Sequence, residues 1–445
     1  MRARNALKMR LTLVALIALS LSNARFFTAV AQQVVFTNYS YHLGSFPQSV
    51  AAGDVNGDGY PDLIAGNTLD GTMTVLTNNG SGIFGTNATF PAGPGSLFCV
   101  AIADINGDNK LDLIGANQSP KTLVVLTNNG SGNFSSNATV NLGSSPNWVV
   151  AADLNGDHKA DLVAATTFTD NLMVFTNNGS GIFVSNATLN VGSYPYSVVA
   201  ADTRGSGRLD LICPNYNDNT LTVLTNDGSA GFTSNVTYSV GIHPYRVISA
   251  DVNGDGKPDL ITANSGDDTL TVLTNDGAGG FVLSATPHVG TKPESVAAAD
   301  LDGDGLLDLI SANQLDNTLT VLTNNGNGTF GFNATLNVGT NPVHVIAVDL
   351  NGDGKRDLAC VNLDNTLTVL LNLTPFPPAP FLGLGSAGSG QTGLFWPASA
   401  TNYILQSSTD LTNWTAVTNG APVIGVIVTN ASPTSFFRLR RPSDD

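Results

Sequence analysis

Apolar and polar residues alternate in short runs along most of the chain, and none of the runs has helical spacing. Tyr245-Arg246-Val247-Ile248-Ser249-Ala250 predicts a strand, and Leu260 to Ala263 predicts a second that ends at Asn264. After Ser265-Gly266-Asp267-Asp268, the run Thr269-Leu270-Thr271-Val272-Leu273-Thr274 has the two-residue period of a half-buried strand. Asn275-Asp276-Gly277 predicts a hairpin turn, because Asn and Gly tolerate positive φ. Phe281 to Val289 predicts a fourth strand, which Gly290 ends.

This unit recurs seven times. Between its first and second strands lies an acidic stretch that begins at Asp54, Asp104, Asp153, Asp202, Asp251, Asp300 and Asp349, at intervals of 50 residues once and 49 thereafter. A fixed period of this size dictates a repeat architecture, and four short strands per repeat match a propeller blade better than a solenoid coil. Fourth strands follow repeats one to six, but repeat seven breaks off at Leu370-Leu371-Asn372 and meets prolines. The stretch from Val34-Val35-Phe36 to His42-Leu43-Gly44 has no repeat of its own. Placed in blade seven, it leaves no edge open to aggregation. The expected fold is all-β: a closed seven-bladed propeller of four-stranded blades over residues 32–373, its last blade completed by the N-terminal strand.

The acidic stretch carries the clearest chemistry. In Asp251-Val252-Asn253-Gly254-Asp255-Gly256-Lys257-Pro258-Asp259-Leu260, side-chain oxygens fall at positions one, three, five and nine, and Lys257 adds its main-chain carbonyl at position seven. Glycines at four and six let the backbone fold around one point. Such an oxygen set suits a hard cation, Ca²⁺ first. An EF-hand would continue to a glutamate in a helix, whereas this chain runs on as a strand. The same reading selects Asp54, Asn56, Asp58, Tyr60 and Asp62 in repeat one, and Asp104, Asn106, Asp108, Lys110 and Asp112 in repeat two. It selects Asp153, Asn155, Asp157, Lys159 and Asp161 in repeat three, Asp251, Asn253, Asp255, Lys257 and Asp259 in repeat five, and Asp300, Asp302, Asp304, Leu306 and Asp308 in repeat six. In repeat seven it selects Asp349, Asn351, Asp353, Lys355 and Asp357. Repeat two has Asn109 at position six, and repeat three has His158 there, which strains the turn. Repeat four has lost two ligands, and its Arg204 is expected to stand where the ion would be, paired with Asp202 and Asp210. About six Ca²⁺ ions are expected, with blade four empty. Asx-turns alone would account for some of these residues, but three converging carboxylates without a cation repel one another.

The Asp-x-Asn-Gly-Asp-Gly-x-x-Asp-Leu stretch, followed by Asn-Asn-Gly-x-Gly-x-Phe at Asn78 to Phe84 and Asn324 to Phe330, resembles the FG-GAP/VCBS repeats. That family forms the calcium-binding propeller of integrin α-chains and of many secreted bacterial proteins. The resemblance implies Ca²⁺ in the loop between strands one and two, on the lower face. Phe-Gly proper survives only at Phe84-Gly85 and Phe330-Gly331.

Beyond the repeats, Pro375, Pro377, Pro378 and Pro380 predict a stiff start to a linker over 374–393, with Gly383 to Gly393 flexible. Short alternating runs over 394–445 predict a small β-sandwich-like module, with Trp396 and Trp414 in its core. Residues 1–31 read as a secretory signal peptide, with Arg2, Arg4, Lys8 and Arg10 ahead of an apolar run too short to span a membrane. Ala29-Val30-Ala31 and Ser22-Asn23-Ala24 are competing cleavage sites. The protein is therefore expected outside the cell or at its surface, without a membrane span, as a monomer.

The formal charge of −16 belongs mostly to the metal loops. No basic patch is present to meet phosphates, which excludes nucleic acid. Cys99, Cys213 and Cys360 lie in apolar runs and read as buried small hydrophobes. The five histidines fall in different repeats, no nucleophile elbow or phosphate loop is present, and catalysis is not expected. The variable positions lie opposite the acidic loops, on connections with a Gly-x-x-Pro pattern. Phe46, Trp148, Tyr194, Tyr196, His243, Tyr245, Arg246 and Lys292 come from them, and Tyr216 from the strand two–three connection of blade four. Of these, Trp148, Tyr194, Tyr196, Tyr216, His243, Tyr245 and Arg246 are the candidate ligand residues, since aromatics and Arg dominate recognition surfaces. The alternative is that they pack between blades around the channel. Two functions follow: an adhesion or ligand-binding scaffold for an extracellular protein or glycan, or a hydrolase or lyase acting on polysaccharide or phosphoester at the channel mouth.

Overall fold

A computed structural model of the protein describes residues 32–375, together with six short strands between Gly383 and Arg440. The expected signal peptide, Trp396 and Trp414 lie outside the described residues. Residues Gln33–Pro377 form a compact unit of seven antiparallel four-stranded sheets. Blade one runs Pro47–Gly53, Asp62–Asn67, Thr72–Asn78 and Phe84–Pro91, and blades two to six repeat that order. Blade seven takes three strands from the end of the repeats and its outermost one from the start. Phe36–His42 pairs antiparallel with Thr366–Asn372, from Phe36 opposite Asn372 to His42 opposite Thr366. The ring is closed as the repeat count requires.

First strands touch the first strands of both neighbours all the way round, so they line the axis. Second strands, such as Asp62–Asn67 and Asp308–Asn313, are buried at all six residues. A neighbouring blade covers each face, which is why they read as continuous apolar runs rather than alternating ones. Fourth strands lie outermost, and Phe134–Asn141 alternates partly buried and exposed positions. The core is a set of inter-blade layers. Leu63 and Leu76 of blade one, for example, share a cluster with Val361, Leu367 and Val369 of blade seven. Cys99, Cys213 and Cys360 are free and buried within these layers. Among the described residues no helix is long and apolar enough to cross a membrane.

Local departures from the expected strands have local causes. The fourth strand of blade five stops at Ala285 instead of Val289, because Pro287 has no N–H to donate; one bridge, Thr269 to His288, remains beyond it. Blade four's first strand shrinks to Val199–Ala201, preceded by a single bridge from Pro195 to Asn215. Part of the Gly/Ser stretch expected as flexible linker is strand: Gly383–Gly388 pairs with Gln391–Phe395, a partner that satisfies its backbone. The six C-terminal strands make two three-stranded sheets.

The outer strands carry a device that the sequence reading missed. In blades one to six the register slips by one residue in strand four, at Asn87, Asn137, Asn186, Asn235, Ser284 and Asn333. Three of these side chains are seen reaching the next blade. Asn186 Nδ2 donates to Ala230 O at 2.6 Å, Ser284 Oγ donates to Gly328 O at 3.0 Å, and Asn333 Oδ1 accepts from Val34 N at 3.1 Å. Asn186→Ala is expected to cost about 1 kcal/mol, the net worth of one such bond, measured by urea unfolding.

Candidate functional site

The loops between strands one and two are shaped by main-chain donors. In loop one, Gly57 and Gly59 have φ of 82° and 88°, and Asp54 gathers the N–H groups of Asn56, Gly57 and Asp58 on Oδ1 and of Gly59 on Oδ2. Asn109 and His158 adopt the same left-handed conformation at φ 60° and 62°, and still donate N–H to Asp104 and Asp153. The substitution at position six thus leaves the loop's shape intact and costs only the strain of a Cβ at positive φ. His158→Gly is expected to raise stability by about 1 kcal/mol in chemical denaturation.

The ninth-position aspartates are fully buried rather than loop-surface groups. Asp62 Oδ2 accepts Val55 N at 3.1 Å and Oδ1 accepts Asn78 N at 2.8 Å, and Asp112, Asp161, Asp259, Asp308 and Asp357 repeat the pair. Burial pushes their carboxyls up, Asp357 to about 6 and Asp308 to about 8; the neighbouring loop carboxylates add to this, and the main-chain bonds oppose it. Asp300, Asp302 and Asp304 offer oxygens within 4.8 Å of one another. Three carboxylates this close together in loop six fit a hard divalent cation. Lys110, Lys159, Lys257 and Lys355 at position seven each lie 3.4–3.7 Å from the position-five carboxylate.

In blade four a guanidinium meets the ninth-position carboxylate. Arg204 Nη2 donates to Asp210 Oδ1 at 2.8 Å and Nε to Oδ2 at 3.2 Å, while Nη2 also reaches Asn226 O at 2.9 Å. The expected pairing with Asp202 is corrected: Asp202 instead accepts main-chain N–H groups of Arg204, Ser206 and Gly207, as the position-one aspartates of the other loops do. Asp210 has no exposed side-chain surface. Arg204→Ala strands that carboxylate, and a loss of about 3–5 kcal/mol is expected in chemical denaturation.

One further residue type links these loops. The asparagine that ends each third strand caps the expected hairpin turn, as Asn275 Oδ1 does by accepting Gly277 N at 2.8 Å, and is also a tie between blades. Asn78, Asn128, Asn177, Asn226, Asn275, Asn324 and Asn372 each donate Nδ2 to the carbonyl at loop position two of the preceding blade, at 2.7–2.9 Å. Its recurrence at one position of every repeat was the available signal.

On the opposite face, the strand four–one connections share a rigid frame. Phe46, Tyr194, His243, Lys292 and Asn341, each just before a proline, have φ between 53° and 64°. Each main-chain N–H is held at 2.8 Å by an Asn or Asp of the preceding blade: Asn365, Asp170, Asn219, Asp268 and Asn317. The residue before it donates to an aspartate of its own blade, as Ser193 does to Asp218 at 2.6 Å. Non-glycine residues at positive φ persist only when their surroundings over-determine them.

This frame gathers rings from blades three to five. Tyr216 stacks on His243 at 4.4 Å and 5°, Tyr196 stacks on Tyr245 at 4.1 Å and 26°, and Tyr194 lies edge-on to Tyr196 at 5.2 Å. Phe168, 62 % exposed and not singled out by sequence, extends the cluster through Tyr194. Burial pushes the Tyr196 hydroxyl up, and hydrogen bonding to Tyr194 adds to it. Trp148 and Arg246 adjoin these rings, with the guanidinium 4.0 Å over the indole. His344, Gln48 and Glu294 join them there. His344 lies edge-on to Trp148 at 5.3 Å, Gln48 O accepts Arg246 Nη2 at 3.2 Å, and Glu294 pairs with Lys292 at 3.0 Å. So Trp148 and Arg246 pack together near the axis, while the tyrosines and His243 pack ring against ring.

Comparisons with known proteins agree with this architecture. The FG-GAP-like repeat family matches residues 54–115, 104–164, 202–262, 251–311 and 300–360, most of the described blades. No curated protein matches the sequence. Among solved structures, BBS1N in complex with ARL6DN is similar over 77% of this chain and 98% of that chain, at 11% identity and a TM-score of 0.56. A virginiamycin B lyase from Staphylococcus aureus is similar over 76% of this chain and 99% of that one, at 13% identity and 0.54. A protein from Lactobacillus plantarum is similar over 67% and 86%, at 16% identity and 0.52. At these identities the likeness is one of fold.

Proposed function

The chain belongs to the FG-GAP-like repeat family, and from that premise we propose that it is an exported, calcium-bound propeller that acts as a ligand-binding scaffold. Six loops would hold Ca²⁺, each through the side chains at positions one, three, five and nine and the carbonyl at seven, and Arg204 replaces the ion in the remaining one. The cation, when bound, would neutralise carboxylates that the fold has desolvated. Its role is structural, setting the spacing of blades whose other ends carry the binding surface.

One observation supports the binding role most. Tyr194, Tyr196, Tyr216, His243 and Tyr245 come from different blades and meet as one ring cluster on connections held at positive φ. Rigid aromatic groups with polar tips give contact area at little entropic cost. The ligand is a glycan or a protein of the surroundings. Full-length protein, immobilised in Ca²⁺ and screened against glycans and matrix proteins, is expected to bind a ligand whose affinity falls about tenfold or more in Tyr216→Ala. Binding that survives Tyr216→Ala and Tyr196→Ala unchanged would sink this reading.

A further inference from the structure

The axial pit beside the ring cluster holds a buried charge that Glu294, shared with Lys292, balances only in part. Arg246 is 6 % exposed, and of its five N–H donors one contact is made, Nη2 to Gln48 O. Nε and Nη1 are buried and have no hydrogen-bond partner, and the same holds for Ser197 Oγ on the neighbouring blade. Among the described residues, the acid closest in charge terms is Glu294, and it is already paired with Lys292. His344 adds no countercharge, since burial and the nearby guanidinium hold its imidazole neutral. Trp148 and His344, beside the guanidinium, keep part of their surface exposed.

A desolvated guanidinium with free donors is a carboxylate receptor, because its planar fork matches a carboxylate's two oxygens. The groups around the pit say what carries that carboxylate. Tyr245 follows Pro244 directly beside Arg246 and stacks on Tyr196, and Tyr216 and His243 continue the ring faces outward. Ring faces with hydroxyls between them suit the C–H face and hydroxyls of a sugar ring better than an extended peptide. We propose that this pit binds the carboxylate of a terminal uronate sugar, with Arg246 as the charge anchor and Tyr245 and Tyr196 against the sugar ring. The inference rests on the ring-cluster face being the binding face, and it names the substrate class of that face.

The test is a titration of full-length protein with sodium glucuronate, followed by calorimetry and by Trp148 fluorescence. Glucose serves as the neutral control and sodium chloride keeps ionic strength constant. Glucuronate is expected to saturate a single site, and glucose to leave the signal unchanged. Arg246→Gln is expected to weaken glucuronate about tenfold to a hundredfold, the worth of a charged hydrogen-bonded pair. Glu294→Gln removes the competing acid and is expected to tighten glucuronate about tenfold, a gain that misfolding cannot imitate. Equal binding of glucose and glucuronate would overturn the carboxylate assignment while leaving the binding face intact. No binding of glucuronate, or binding that Arg246→Gln and Glu294→Gln both leave unchanged, would overturn it as well.

Discussion

Removing calcium is expected to lower the thermal midpoint of the propeller by about 20 °C. A ligand at a hundred times its dissociation constant stabilises the state that binds it by about 2.7 kcal/mol, and six sites together contribute about 16 kcal/mol. Spread over the unfolding entropy of a domain of this size, that gives a shift of the stated order. The physical source is visible in the loops: Asp357 and Asp308 have carboxyls raised to about 6 and about 8 by burial. Ionising such groups at neutral pH without a cation costs free energy, and a divalent ion reverses the sign of that contribution. The measurement is calorimetry in millimolar Ca²⁺ against excess EGTA, with Mg²⁺ as control. Identical midpoints in the two buffers would remove the metal from the structure's account.

Deleting residues 32–43 is expected to abolish cooperative folding. The loss is not one of contacts at a terminus. Phe36–His42 is the outer strand of blade seven, and Val34 and Phe36 pack into the layer between blades six and seven. Without them Thr366–Asn372 becomes an open edge with a full row of unpaired donors and acceptors. Val35 N to Thr374 Oγ1 and Val34 N to Asn333 Oδ1, which seal the junction, go as well. The truncated chain is expected to aggregate or exchange strands, seen as a high-mass species in size-exclusion chromatography. A synthetic peptide spanning Val34 to Leu43, added during refolding, is expected to restore the monomer. A truncated monomer with an unchanged midpoint would show that closure is held elsewhere.

The fold was legible because it is periodic: seven copies of one pattern average away the ambiguity of any single strand, and the orphan N-terminal strand completed the count. Individual strand ends were less so. Pro287 shortens a strand whose apolar run continues to Val289, a backbone effect that side-chain periodicity does not register. The loop residues were legible as a set, yet their division of labour was not. That the ninth aspartate is buried beneath two N–H bonds, and that an asparagine sixteen positions on ties the blade to its neighbour, depends on contacts about 72 residues apart in sequence. The tyrosine cluster was found because its members are chemically conspicuous. Glu294 and His344, which decide the charge of the pit, carry no local pattern and emerge only when seven first strands converge on an axis.

The positive-φ positions before the prolines have a wider consequence. Phe46, Tyr194, His243, Lys292 and Asn341 differ in every chemical respect, yet their backbones coincide in conformation because the clamps act on main-chain N–H groups and never on the side chain. Shape and content are thereby decoupled: the frame fixes the direction in which a group is offered and is indifferent to its identity. Such a ring works as a typesetter's forme, in which new letters can be set without recasting the block. A protein built this way can acquire a new specificity by a handful of exchanges at these positions, with the cost to folding confined to whatever each letter loses on its own.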